Sequence, residues 1–233
     1  MSGGPALALA VSIVVYEPDL EVLGRTLRTL RAALEHGAAR RPLRATVFIA
    51  DNSPDAGAGA AAPALLREVF AGCPGCGAEY LVSGGNIGYG RANNLAIGRS
   101  RADYHLVMNP DVFPDPDALA QALEYMEHHP GAGLLLADVR GEDGERHHLC
   151  KRNPTLFDLF LRGFAPGFLR RWFERRMREF EMCDRDYDAS IHGVPYPTGC
   201  FMFFRGETLR RLGGFDPRFF MYLEDADIGR RTL

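Results

Sequence analysis

EYLVSGGNIGYGRANNLAIGRSRADYHLVMNPD, residues 79–111, passes from an apolar extended piece through a glycine loop and a helical stretch into a second apolar extended piece. Glu79 to Val82 reads as a strand, Arg91 to Arg99 as a helix, and His105 to Met108 as a strand that ends at Asn109-Pro110-Asp111. Short β-branched runs alternating with helical segments are the pattern of a mostly parallel sheet with crossover helices, so the stretch predicts an α/β fold.

Upstream the same rhythm holds. Val11 to Tyr16 and Thr46 to Ala50 read as strands, separated by a helix whose Leu20, Leu23, Leu27, Leu30 and Leu34 form one apolar stripe. Ala58 to Ala62 reads as a loop of small residues, Pro63 as the opening of a helix to Phe70, and Cys73 to Gly77 as a turn. Downstream, Asp117 to His129 is helical and Ala132 to Ala137 strand-like, and Gly141-Glu142-Asp143-Gly144 turns between two extended pieces. Tyr196 to Phe204 reads as a strand and Gly206 to Leu212 as a brief helix. We divide the chain at 112/113 into a first half, 1–112, and a second, 113–233, within a single domain.

Composition narrows the function. At 233 residues and 46% hydrophobic content the chain can bury a sizeable core. A formal charge of −3 supplies no basic field for a nucleic-acid backbone. Lys151 is the sole lysine beside abundant arginine and alanine, which points to a GC-rich bacterial genome. Five cysteines without a dense framework suit a reducing cytosol, and Cys73-Pro74-Gly75-Cys76, which as a CxxC could be half of a zinc site or a redox pair, reads without a second pair as an incidental turn. Pro5 to Val15 lacks the preceding basic residues of a signal peptide and reads as a buried strand. Arg230-Arg231-Thr232-Leu233 follows an acidic helix opening without any capping composition, which reads as a truncation.

Four segments carry chemistry. Asp51-Asn52-Ser53-Pro54-Asp55 ends a strand in groups able to meet a base or ribose edge, although an Asx turn capping its own backbone would look the same. The loop Gly84 to Asn94 brings glycines and helix N–H groups toward anionic oxygen. It is not a dinucleotide fingerprint, because Asn93 stands where the third glycine of G-x-G-x-x-G belongs, and this argues against an oxidoreductase. Asp111 at a strand end can hold Mg²⁺ or Mn²⁺ against a diphosphate. Glu224, Asp225 and Asp227 crowd three carboxylates into four residues, which calls for compensation by an acceptor hydroxyl, a cation or Arg230.

In order and spacing these segments resemble family 2 glycosyltransferases of the GT-A fold, and most closely the rhamnosyltransferase-like group, across essentially the whole chain. That resemblance implies a nucleotide-sugar site formed by Asp51, Asn52, Asn86, Gly88, Asn93, Asn109 and Asp111, with Asp51 on the base. It makes Asp111 the metal ligand, the surviving acid of a DxD-type motif in which Asn109 replaces the first aspartate. Asp225, beside Glu224, corresponds to the general base, and a further histidine that some relatives supply would lie past Leu233. The implied reaction is inverting transfer from a nucleotide-diphospho-sugar, with dTDP-rhamnose as the leading donor, to a glycan or lipid-linked acceptor in cell-surface polysaccharide synthesis. A binding module that has lost activity is the rival reading, and the presence of both Asp111 and Asp225 argues against it.

Two further expectations concern the second half. The same resemblance implies that Pro197 to Met202 forms a strand and turn beside the acceptor, and Cys200 reads as ordinary packing. Phe157 to Phe180 mixes aromatics with Arg162, Arg170, Arg171, Arg175, Arg176 and Arg178. It reads either as a peripheral membrane contact or as a core-packed helix whose arginines face water or pair with Glu174 and Glu179.

Overall fold

A computed structural model describes residues 6–54, 61–164 and 166–233, apart from side chains 159, 162 and 168–170. The loop expected at 58–62 therefore falls outside the described residues up to 60, as do Asp55 and the side chains of Arg162 and Arg170.

The first half alternates as expected: β1 (Leu7–Val15), α1 (Leu20–Arg40), β2 (Leu43–Asp51), α2 (Ala61–Phe70), β3 (Cys76–Val82), α3 (Tyr89–Arg99) and β4 (Tyr104–Met108). The second half continues with α4 (Ala118–His128), β5 (Leu134–Leu136), β6 (Val139–Arg140), β7 (Arg146–His147) and β8 (Cys150–Lys151). Then come α5 (Leu156–Gly163), α6 (Gly167–Trp172), α7 (Glu174–Phe180), β9 (Tyr196–Pro197), β10 (Phe201–Arg205), α8 (Gly206–Leu212) and α9 (Glu224–Thr232).

Six strands form one sheet in the order β3-β2-β1-β4-β10-β5. β3, β2, β1 and β4 run parallel, and β10 is antiparallel to both β4 and β5. β1 is apolar at nearly every position because both of its faces are covered, as parallel sheets require. One face carries α1, α2 and α4 through Leu23, Leu27, Leu30, Leu66 and Leu123. The opposite face carries α3, α8 and α9 through Ile97, Leu209 and Ile228. Because β1 pairs with β2 on one side and β4 on the other, a crevice opens at the strand C-termini where the connections diverge, the usual ligand position in open α/β sheets.

Several expected boundaries move. Leu20 is 43% exposed and stands outside the α1 stripe, since Asp19 caps the helix one residue earlier by accepting from the Glu21 and Val22 amides at 2.8 and 3.2 Å. α2 begins at Ala61, so Pro63 lies inside the first turn, where a missing N–H costs nothing. The strand expected over 196–204 is broken in two: Thr198, Gly199 and Cys200 turn away between β9 and β10. β9 pairs with β8 and β10 with β4. The Cys73 to Cys76 turn, expected as incidental, closes a disulfide.

The segment from 156 to 180 departs most from a core-packed helix. It is three short helices, and Leu156, Phe164 and Trp172 are 87%, 83% and 84% exposed. Of the arginines expected to pair within it, Arg175 bonds Glu179, whereas Arg176 reaches back to Asp158.

Candidate active site

The crevice is built from the ends of β2 and β4, the turn between β9 and β10, and the starts of α3 and α9. At the end of β2, Asp51 is buried, and both carboxylate oxygens are engaged. Oδ1 accepts from the Ser53 amide and hydroxyl at 2.8 and 2.5 Å, and Oδ2 from the Tyr80 phenol at 2.6 Å. Burial, and then this bond to Asp51, pushes the Tyr80 phenol up. Asp51 thus braces the turn, and only its unused lone pairs remain for a base edge. The Asn52 amide nitrogen donates to the Gly88 carbonyl at 3.3 Å, while its Oδ1 is buried without a donor among the described residues.

The glycine loop is shaped by contacts that the sequence does not disclose. Asn86 Oδ1 accepts from the Gly88 amide at 3.1 Å, an Asx turn that tightens the entry to α3. Gly88 has φ +91°, and a Cβ there would lie 2.3 Å from the Phe220 carbonyl oxygen. That same oxygen accepts from the Tyr89 amide at 3.1 Å, so the loop is docked against the chain leading into α9. Asn86 and Gly88 therefore stand at the crevice, at the entry to α3.

Asn93 is not. Although expected in the nucleotide site, it has no exposed surface: its Oδ1 accepts from the Ser12 hydroxyl at 2.8 Å and its amide donates to the Tyr89 carbonyl at 3.1 Å. Ser12 in turn meets His105 Nε2 at 3.1 Å, and burial drives the His105 pKa down to about 3. Asn93 belongs to a closed polar network between α3 and the sheet, because it points inward on the helix face that packs on β1. The next residue, Asn94, faces elsewhere and clamps Phe215 from both sides, accepting from its amide at 2.9 Å and donating to its carbonyl at 2.7 Å.

At the end of β4 the Asn109 amide donates to the Cys200 carbonyl at 3.0 Å, and Asn109 Oδ1 accepts from the Tyr89 hydroxyl at 3.1 Å. Asp111 is exposed and meets no hydrogen-bond donor or ion-pair partner among the described residues. Its charge is felt by the Cys200 thiol, whose pKa burial and then Asp111 push up to about 11. Among the described residues no group of three His, Cys, Asp or Glu side chains converges to hold a metal ion.

The acidic helix closes the crevice. Tyr222 and Leu223 both take left-handed backbone, φ +67° and +70°, which turns the chain sharply into α9. Asp225 Oδ2 accepts from the Gly199 amide at 2.9 Å and Oδ1 from the Ala226 amide at 2.7 Å. Glu224 is buried, its Oε2 meets no partner among the described residues, and burial, followed by the Asp225 charge, raises its pKa. The expected compensation by Arg230 does not occur: Asp227 pairs with Arg231 at 2.8 Å, one helical turn on, and Arg230 points outward. Burial is the first cause of a raised Tyr89 phenol pKa, and Glu224, Asp225 and Cys200 add to it, so this hydroxyl sits where β4, β10 and α9 converge. Gly199 lies in the 197–202 turn expected beside the acceptor, whereas Tyr89, although within the loop Gly84 to Asn94, was assigned no role from the sequence.

Comparison with known proteins agrees with this architecture. Over 96% of its length the chain is 29% identical to an N-acetylglucosaminyl-diphospho-decaprenol L-rhamnosyltransferase of Mycobacterium tuberculosis, covering 69% of that protein. Over 65% of its length it is 28% identical to the rhamnosyltransferase WbbL of Escherichia coli, covering 56% of it. In fold it is similar to S. aureus TarS 1-349, with a TM-score of 0.58 at 13% identity over 97% of this chain and 55% of that one. It is likewise similar to a mannosyltransferase from Pyrobaculum calidifontis in complex with GDP-Man and Mn²⁺, with a TM-score of 0.58 at 17% identity over 94% of this chain. The chain spans about half the length of these solved structures: 55% of the first and 50% of the second. Residues 11–212 match the family described as glycosyl transferase family 2, and the chain belongs to that family.

Proposed function

We propose that this chain transfers a sugar, with inversion, from a nucleotide-diphospho-sugar to a hydroxyl of a glycan or lipid-linked acceptor, and that dTDP-rhamnose is the donor. One observation carries the reading. The end of β4, with Asn109 and Asp111, meets the start of α9, with Glu224 and Asp225, through the Tyr89 hydroxyl and the Gly199 amide. A donor site and a proton acceptor thereby share one crevice. The rhamnose and the lipid-linked acceptor rest on the names of the mycobacterial and E. coli relatives.

Asp225 takes the acceptor proton as the hydroxyl oxygen attacks the anomeric carbon and the bond to the diphosphate oxygen breaks. The Gly199 and Ala226 amides orient its carboxylate toward that task. Glu224, held toward its neutral form by burial, keeps a second negative charge away from the base. Asp51, Asn52, Asn86 and Gly88 form the nucleotide side of the crevice. The exposed, unpaired Asp111 suits Mg²⁺ or Mn²⁺, which accept one or two protein carboxylates and take their remaining ligands from water and phosphate. Such an ion, when bound, would neutralise the departing diphosphate.

Calorimetric titration with dTDP, UDP and GDP, with and without Mn²⁺, separates the roles. Asp111→Ala is expected to abolish the metal-dependent part of diphosphate binding. Asp225→Asn is expected to bind diphosphate within about twofold of the parent while sugar transfer falls by about 10²–10⁴. Unchanged metal-dependent binding by Asp111→Ala would remove Asp111 from the donor site, and full transfer by Asp225→Asn would remove the base.

A further inference from the structure

On α5, Asp158 and Leu161 face inward at 5% and 0% exposure, while Leu156, Phe160 and Phe164 follow one another every four residues on the outer face at 87%, 47% and 83%. An amphipathic helix ordinarily turns its apolar stripe to the core; here it turns the stripe to solvent. The arrangement is built, not loose. Thr155 and Asp158 form a capping box, and Arg176 of α7 bonds Asp158 Oδ1 at 2.6 Å and lies over the Phe157 ring at 5.4 Å. Trp172, the chain's one tryptophan, is 84% exposed beside an exposed Arg171.

Charge says what this face suits. Residues 156–180 hold six arginines against three acids, in a chain whose formal charge is −3. The segment is therefore basic against an acidic remainder, the polarity that an anionic surface selects; Arg171 is the described arginine on α6, while Arg175 and Arg176 of α7 are held by Glu179 and Asp158. Apolar and aromatic side chains bordered by arginine match the interfacial region of a bilayer, where rings sit at headgroup depth and guanidinium groups meet phosphate.

We propose that the exposed face carrying Leu156, Phe160, Phe164, Arg171 and Trp172 docks this protein on an anionic phospholipid bilayer. The docking layer is joined to the catalytic helix by a short chain of contacts. The Arg152 amide, directly after β8, donates to the Phe180 carbonyl at the end of α7 at 2.9 Å, and β8 pairs with β9. Pro197 of β9 packs so closely on Gly229 of α9 that a Cβ there would fall 2.1 Å from the proline ring. Two residues on, Gly199 holds Asp225. A surface that grips the bilayer through α5 and α6 thus sits one hairpin away from the proposed base, which suits an acceptor presented at a membrane. The docking itself does not depend on which sugar is transferred.

Trp172 is a built-in reporter. Mixed with vesicles of phosphatidylcholine containing phosphatidylglycerol, the protein is expected to co-sediment and its tryptophan emission to shift to the blue, with quenching by brominated acyl chains. Vesicles of phosphatidylcholine alone are expected to bind at least tenfold less. Arg171→Glu and Phe164→Ser both change exposed side chains. Each is expected to weaken partition onto anionic vesicles by about tenfold, with the circular-dichroism melt unchanged. Equal binding to both vesicle types, or parent-like binding by both variants, overturns the proposal. So does a Trp172 shift that tracks protein concentration without vesicles and accompanies dimers in sedimentation, since the face would then join two copies of the chain.

Discussion

The Gly199 amide hydrogen points at Asp225 Oδ2 across 2.9 Å, and the two residues approach so closely that a Cβ on Gly199 would lie 2.9 Å from the Asp225 Cβ and 2.7 Å from the Met202 sulfur. Methionine can yield, but the first atom of the Asp225 side chain is fixed to α9 and cannot.

Gly199→Ala is therefore expected to displace the Asp225 carboxylate. Misplacement of a reacting group by about 1 Å costs about 10²-fold in rate, so kcat for sugar transfer should fall by about that factor, with donor affinity little changed. Steady-state kinetics beside a diphosphate titration checks this. A parent-like kcat would mean that the turn does not position the proposed base.

Glu224 gives a pH signature. Its folded pKa lies above the ordinary 4.5, so the folded state holds a proton that the unfolded chain has released. Its contribution to stability is full below about pH 4.5 and is lost as pH rises through the folded value. Glu224→Gln removes the titration, and melting curves from pH 4 to 8 are expected to show the variant gaining on the parent as pH rises. A constant offset between the two would be evidence against the burial cost.

His105 acts with the opposite sign. Its pKa is held at about 3 against an ordinary 6.5, so below about pH 6.5 the unfolded chain takes up a proton that the folded protein refuses. Stability is lost as pH falls through that window. His105→Gln retains a hydrogen-bonding group for Ser12 without a charge change, and its melting temperature should decline less steeply from pH 6.5 toward 3 than that of the parent.

Asn93→Ala separates structure from binding. The substitution leaves the Ser12 hydroxyl short of its Asn93 acceptor and the Tyr89 carbonyl short of the amide that donates to it, in a site with no solvent access. A loss of about 2–3 kcal/mol of stability is expected by chemical denaturation. Diphosphate affinity should remain within about twofold; a selective loss of affinity with stability intact would return Asn93 to the nucleotide site.

Much of the first half was legible because its signals are local. β1 and β2 are short runs that can only be buried on both faces, and α3 follows a loop whose glycines have no other use. Asp51 and Asn109 could be placed because a strand end is a position along the chain. The stretch from 156 to 180 was not legible in the same way: its apolar residues fit a buried stripe or an exposed one equally well, and periodicity carries no sign for inside or outside.

The sequence by itself determined the alternation of strand and helix, the parallel half of the sheet, and which chemical groups stand at the strand ends, since each follows from residues within one turn or strand of one another. Only the tertiary structure decided that Asn93 turns into the core while Asn94 clamps Phe215, because adjacent helix positions differ by about 100° and packing chooses which one meets the sheet. It also decided that Gly199 and Tyr89 meet Asp225 and Asn109. Those partners lie 26 and 20 residues apart in the chain. They come together only when β10 pairs beside β4 and α9 folds back over the crevice, a consequence of burying the whole sheet that no local pattern encodes.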